Sequence, residues 1–185
     1  MSQSLNFDNT WSLFLDRDGV INKKLENDYV KRWDEFTFNP GTLEAIAGLR
    51  KIFGHIFIVT NQRGVGLGKM TTAELNEIHN QMLASIEAAS GKIDKIFFCI
   101  DTDDSSLYRK PNTGMGLLAK QEYPEIEFSK SIMLGDSISD MEFGRKLGMK
   151  CVLINSNFDN CIKLDYLRFN SLLEFTSSLK VGHFS

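Results

Sequence analysis

Short apolar runs alternate with longer amphipathic stretches along this chain. Trp11–Leu15 (WSLFL), Ile56–Thr60 (IFIVT), Ile96–Ile100 (IFFCI), Ser131–Leu134 (SIML) and Cys151–Ile154 (CVLI) are each of strand length. Each is rich in β-branched or aromatic residues and is stopped by charges or turn formers, so each predicts a strand. Between them lie helical patterns. Thr42–Phe53 sets Leu43, Ile46, Leu49 and Ile52 on one stripe. Thr71–Ser90 opens with Thr71 and Glu74 at capping-box spacing and continues with Leu75, Ile78, Met82 and Ile86 on one face. Met115–Tyr123 and Met141–Leu147 are shorter, and the second stops at Gly148, a natural residue after a helix end. Asn170–Leu179 predicts a terminal helix starting at an Asn cap. The apolar stripes are read as core packing.

Strands alternating with helices predict βαβ units and an α/β fold with a mainly parallel sheet. Near-continuous apolar strands fit a sheet covered on both faces. In such sheets ligands sit beyond the carboxyl ends of the strands, so the polar residues after each strand are the ones to weigh. With 185 residues the chain predicts a single domain, residues 1–185, with a core over about 11–157 and an extension at 158–185.

Composition narrows the class. An apolar share of 42% and a charged share of 24% are those of a globular protein. The 21 basic and 24 acidic side chains leave a net charge of −3, which argues against a broad basic face for nucleic acid. No stretch is apolar for long enough to span a bilayer. The first ten residues have neither the basic nor the apolar region of a secretory signal. Cys99, Cys151 and Cys161 are odd in number and form no CxxC pair, so a disulfide framework is not expected and a cytoplasmic setting is.

Four places carry chemistry: three strand ends and, as the third, a loop end before a helix. The first delivers Asp16-Arg17-Asp18-Gly19-Val20, two acids two residues apart that would point the same way on a continuing strand. Like charges that close call for a cation or a proton, and a hard cation such as Mg²⁺ prefers oxygen ligands. A solvated acidic turn is the plain alternative. The second ends in Thr60-Asn61, a hydroxyl and an amide that can donate to an anionic oxygen. Gly64, Gly66 and Gly68 follow in RGVGLGK, which fits neither a Walker loop nor a dinucleotide fingerprint and predicts a flexible loop. The third is Arg109-Lys110-Pro111, a basic pair able to clamp phosphate. The fourth is Gly135-Asp136-Ser137-Ile138-Ser139-Asp140, where Asp136 can reach a metal and Asp140 lies where a helix begins.

In that order these residues resemble the haloacid dehalogenase superfamily of phosphohydrolases, whose motifs read DxDG[TV], a strand-end Ser or Thr, a Lys, and GDxxxD. LFLDRDGVIN, NPGTLEAIAGLRK, IVTNQRGVGLGKMT, RKPNTGM and MLGDSISDMEFGRKLGM are similar to the subgroup of D,D-heptose 1,7-bisphosphate and histidinol-phosphate phosphatases. The resemblance spans about Phe14 to Asn155. It implies a Rossmann-like core without a large cap domain and hydrolysis of a small phosphorylated metabolite. It implies Asp16 as nucleophile, Asp18 as general acid and base, and Thr60 and Lys110 as catalytic phosphate-holding groups. Mg²⁺ would be held by Asp16, the Asp18 carbonyl and Asp136, with Asp140 supporting from behind. Lys24, Asn61, Gln62, Arg63 and Arg109 are the candidates to bind substrate, with Lys24, Arg63 and Arg109 suited to a distal group such as a second phosphate.

Short flaps are expected at Lys23–Phe38 and at Gln62–Met70; Tyr29 and Trp33 are read as core-facing, with packing of the first flap as the alternative. The subgroup carries a Cys/His zinc loop before RKP. Here the interval from Cys99 to Tyr108 has one cysteine and no histidine, so no structural zinc is predicted, and Asp101, Asp103 and Asp104 are expected to be solvated. His55, His79 and His183 fit no motif and are read as structural or exposed. A monomer is the default expectation. Histidinol phosphate is the alternative substrate, and a phosphate-binding scaffold without catalysis is the non-enzyme alternative.

Overall fold

The computed structural model describes residues 7–154 and 166–179. The turn expected at 155–157, Cys161 and His183 lie outside them. Six parallel strands form one sheet in the order β3-β2-β1-β4-β5-β6. They are β1 Ser12–Leu15, β2 His55–Asn61, β3 Lys95–Cys99, β4 Ser131–Gly135, β5 Lys150–Ile154 and β6 Leu167–Phe169. The helices are α1 Thr42–Leu49, α2 Arg63–Gly66, α3 Thr72–Ala88, α4 Gly114–Glu122, α5 Ile138–Leu147 and α6 Leu172–Ser178. No helix among the described residues is long and apolar enough to cross a membrane.

Strand alternation divides the core into two layers. Leu13, Leu15, Ile56, Ile58, Ile132 and Leu134 face α1, α3 and α6, together with Ala45, Ile46, Leu75, Ile78, Met82 and Phe175. Phe14, Phe57, Val59 and Met133 face α4 and α5, together with Met115, Ala119 and Phe143. All these side chains are buried. The strands are therefore apolar on both faces, as a parallel sheet between helices requires. The sheet grows outward from β1 in both directions, since β1 pairs with β2 on one side and β4 on the other. The carboxyl ends of these three central strands meet at a switch point, where open α/β sheets place ligands.

Several boundaries differ from the sequence expectations. The stripe at Thr42–Phe53 is helical only to Leu49, after which Arg50 and Lys51 turn back on the last carbonyls. α5 begins three residues early, at Ile138, because Ser137 and Asp140 form a capping box. The terminal helix is capped by Ser171, not by Asn170; the Ser171 hydroxyl accepts from the Glu174 amide at 3.0 Å. The C-terminal segment also supplies β6, which pairs in parallel with β5. RGVGLGK is not simply a loop, since Arg63–Gly66 is a turn of helix tied to the sheet by the Gln62 amide bonding Cys99 O at 2.7 Å. The two flaps stay short. Trp33 stacks on Phe36 at 5.0 Å in the first, and Lys69 of the second lies over the Tyr29 ring at 5.1 Å.

Candidate active site

β1 is buried throughout, and the Asp16 amide still bonds Leu134 O at 2.9 Å, so Asp16 is fixed at the end of the central strand. The strand does not continue to Asp18. The chain turns sharply instead, with the Gly19 amide on Asn22 O at 2.8 Å and the Ile21 amide on Arg17 O at 2.8 Å. Asn39 clamps this turn, its Nδ2 donating to Gly19 O, Val20 O and Asn22 O at 3.1, 3.0 and 3.3 Å. Both acids nonetheless line one cavity of about 190 Å³ with Lys24, Thr60, Asn61, Lys110, Asp136, Ser137, Ser139 and Asp140. Three strand ends, of β1, β2 and β4, and the loop carrying Lys110 thus meet around one small volume.

Two glycines make that meeting possible. Gly19 has φ +97°, and a side chain there would begin 2.2 Å from Asp136 Oδ2. A side chain on Gly135 would begin 2.2 Å from Asp140 Cβ. Any larger residue at either place would drive an acid out of the cavity.

Lys110 is the hub of the charge arrangement. It is 3% exposed, and its Nζ lies 2.9 Å from Asp16 Oδ1 and 2.6 Å from Asp140 Oδ1 while donating to Val59 O at 2.7 Å. Burial works against its charge, but the two carboxylates outweigh that and raise its pKa. Asp136 Oδ2 accepts from Lys24 at 2.8 Å, whereas Asp136 Oδ1 is buried with no hydrogen-bond partner among the described residues. One oxygen from each of Asp16, Asp136 and Asp140 lies within 4.8 Å of the others. Three carboxylates therefore face two ammonium groups. Burial and the Asp140 charge push the Asp16 carboxyl up to about 7 against the pull of Lys110. Burial also raises Asp136. An all-oxygen donor set with surplus negative charge and an orphaned carboxylate oxygen fits a hard divalent cation such as Mg²⁺. Asp140 does more than support from behind. Its Oδ1 belongs to this cluster, and its Oδ2 accepts from the Ser137 amide and hydroxyl at 3.0 and 2.6 Å, capping α5.

Asp18 has a different environment. Its Oδ1 accepts from Arg17 and from Asn22 Nδ2, both at 2.9 Å, and its Oδ2 accepts from Gln62 Nε2 at 2.8 Å. Burial alone would raise this carboxyl, but the Arg17 charge and these hydrogen bonds overcome it and hold Asp18 below its ordinary value. Asp18 therefore rests as a carboxylate.

The remaining candidates divide. Thr60 sits buried at the end of β2, its Oγ1 accepting from Gln62 Nε2 at 2.9 Å. Gln62, expected at the substrate, is 2% exposed and spent on Asp18 and Thr60, so its amide holds those two side chains from inside. Asn61 likewise holds the Lys110 backbone. Lys24 reaches over the cavity to Asp136. Arg63 on α2 does not line the cavity, and its Nε is buried without a partner among the described residues. Arg109 does not line it either. Its Nε donates to Asp104 at 2.8 Å, which ties down the acidic loop. Asp101, Asp103 and Asp104 are exposed, as expected, while Asp101 also accepts from Ser106 and Asp103 from the Ser105 amide. Sequence reasoning missed the parts of Arg17, Asn22 and Asn39 in the site, while His79, read as structural or exposed, is buried on α3. The NPG stretch holding Asn39 was visible as a motif, but its task was not.

The polynucleotide kinase 3 phosphatase family matches residues 8–166. A D-glycero-α-D-manno-heptose-1,7-bisphosphate 7-phosphatase of Mycobacterium bovis is 34% identical over 177 residues, covering 94% of this chain and 92% of that protein. The β-anomer 7-phosphatase of Escherichia coli is 34% identical over 139 residues, covering 71% of each. The crystal structure of D,D-heptose 1,7-bisphosphate phosphatase from B. bronchiseptica, complexed with magnesium and phosphate, superposes with a TM-score of 0.83 at 29% identity, covering 91% of this chain and 97% of that one. The carboxylates and the buried lysine thus stand in a chain that belongs to the polynucleotide kinase 3 phosphatase family, within the haloacid dehalogenase superfamily, and is a phosphatase.

Proposed function

We propose that this phosphatase is a Mg²⁺-dependent phosphomonoesterase for a small sugar phosphate, removing the 7-phosphate of a D-glycero-D-manno-heptose 1,7-bisphosphate through a phospho-Asp16 intermediate. The observation that carries it is the pairing of Asp16 with buried Lys110 across a cavity of about 190 Å³ that also holds Asp18. That volume suits a phosphoryl group, with the rest of a small substrate lying toward the flaps.

Asp16, the Asp18 backbone carbonyl and Asp136 would hold Mg²⁺, with Asp140 beside them. When bound, the cation offsets the charge of the phosphate and Asp16, which otherwise repel. The Asp16 carboxylate attacks phosphorus, and the bond from phosphorus to the ester oxygen breaks. Asp18 gives that oxygen a proton, then takes one from the water that cleaves phospho-Asp16 and releases phosphate. Asp18 rests ionised, so it takes up its proton as anionic substrate arrives beside it. Lys110 and the Thr60 hydroxyl hold the transferring oxygens, where fixed donors stabilise spreading charge. Lys24 leaves Asp136 for the incoming substrate.

The names of the relatives support the heptose substrate, and the acidic balance of the chain favours a metabolite over a polynucleotide end. Phosphate release should be measured with Mg²⁺ on both heptose 1,7-bisphosphate anomers, histidinol phosphate and a 3′-phosphorylated oligonucleotide. The expected result is the highest kcat/KM on a heptose bisphosphate. A preference for histidinol phosphate or the oligonucleotide would replace the substrate assignment, and no turnover of any ester would remove the proposal.

A further inference from the structure

Arg17 stands between the two catalytic aspartates in sequence, yet its side chain leaves the cavity. It is 1% exposed. At one end its Nη2 meets Asp18 Oδ1 at 2.9 Å, and at the other its Nη1 lies 3.3 Å from His79 Nε2. Its Nε has no partner among the described residues. His79 lies on the buried face of α3 with Leu75, Ile78 and Met82, and its ring meets Phe98 edge-on at 5.6 Å. A buried guanidinium needs a counter-charge and acceptors for its protons. Asp18 supplies the charge and His79 the second acceptor. An imidazole that accepts at Nε2 is neutral and carries its proton on Nδ1.

We propose that His79 is a positioning residue for hydrolysis: its neutral ring, accepting at Nε2, holds the Arg17 guanidinium so that its far end orients the Asp18 carboxyl toward the leaving oxygen. The chain of contact runs from α3 through the core to the acid–base group, over 62 positions of sequence between Arg17 and His79. The inference rests on the reading of Asp18 as acid and base. It adds that the group is aimed from behind by a residue that never touches substrate.

The test compares His79→Phe, which keeps a ring against Phe98 but cannot accept, with His79→Gln, which restores an acceptor. Steady-state kinetics on heptose 1,7-bisphosphate with Mg²⁺ should show kcat about tenfold lower in His79→Phe at unchanged KM, with His79→Gln within about threefold of wild type. Wild-type kcat in folded His79→Phe, or equal losses in both variants, would overturn the proposal. A readout independent of activity is the ¹⁵N spectrum of wild-type His79 at neutral pH. A bare Nε2 is expected, and an Nε2–H tautomer or an imidazolium would overturn the proposal even where His79→Phe does not fold. Asp18→Asn separates the two readings. Full activity in Asp18→Asn removes the acid–base assignment, whereas an inactive Asp18→Asn beside an unaffected His79→Phe removes only the role of His79.

Discussion

Asn61 clasps the backbone of Lys110 at both ends of its amide, Oδ1 accepting from Lys110 N at 3.0 Å and Nδ2 donating to Lys110 O at 3.1 Å. The end of β2 is thereby pinned to a loop 49 residues away, and the ammonium of that loop reaches Asp16 and Asp140. Replacing Asn61 with Ala deletes both bonds. The loss expected is about 1–3 kcal/mol of stability. With Lys110 in its proposed role at the transferring oxygens, kcat should fall about tenfold or more with a smaller change in KM. Kinetics with thermal unfolding check this, and an unchanged kcat would mean that Lys110 is placed without Asn61.

Lys110→Met tests the hub itself. Methionine fills similar volume without charge, which leaves Asp16 and Asp140 buried and facing each other. Removing one partner from a buried ion cluster costs about 3–5 kcal/mol. Turnover should be lost even where the variant still folds at low temperature. Chemical denaturation and a phosphate-release assay report the two effects separately.

Metal affinity should depend on pH in a stated direction. In the metal-free protein Asp16 is pushed up to about 7, so below that pH it carries a proton that a cation must displace. Mg²⁺ affinity measured by titration calorimetry should therefore fall about tenfold per unit as the pH drops below about 7 and level off above it. Asp136→Asn removes a charge from the cluster and should weaken Mg²⁺ at every pH. Affinity that stays flat through neutrality would contradict the crowding of charge at Asp16.

His79 gives a stability signature from the same leading cause, burial, with its pKa shifted the other way. Burial first, and the Arg17 charge second, depress its pKa from 6.5 to about 3. Above pH 6.5 the ring is neutral folded or unfolded and contributes nothing that varies. As pH falls from there toward about 3, the unfolded chain takes up a proton that the folded chain refuses, so stability is lost, up to a few kcal/mol in total. His79→Gln lacks that proton site. Its unfolding free energy should therefore fall less steeply with acid than the wild type's, as denaturant titrations across that range would show.

The five long strands were legible because each is a continuous apolar run; the acids and Thr60 were legible because the motifs place them at strand ends, and Lys110 because its motif places it just before a helix. β6 was not. Leu167–Phe169 is three residues long, two of them exposed, and carries no run to read. The start of α5 was set three residues late because its pattern was read from Met141, although Asp140 was placed where a helix begins and does serve in its first turn as well as in the acidic cluster. Arg17 and His79 were opaque for a different reason. Charged and titratable side chains are exposed by default, and only the folded core brings this arginine to this histidine. Gln62 and Arg109 looked like substrate contacts because polar residues beside a phosphate site usually are. The fold spends one on Asp18 and the other on Asp104.

The central claim is that Asp16 becomes phosphorylated. Mixing excess enzyme with a heptose 1,7-bisphosphate and Mg²⁺, quenching in acid within the first turnover and sequencing the peptides by tandem mass spectrometry tests it directly. Phosphate on Asp16, gone after a longer chase and missing in Asp16→Asn, is the predicted result. Turnover that leaves Asp16 unmodified at every time point, or that persists in Asp16→Asn, would contradict the account.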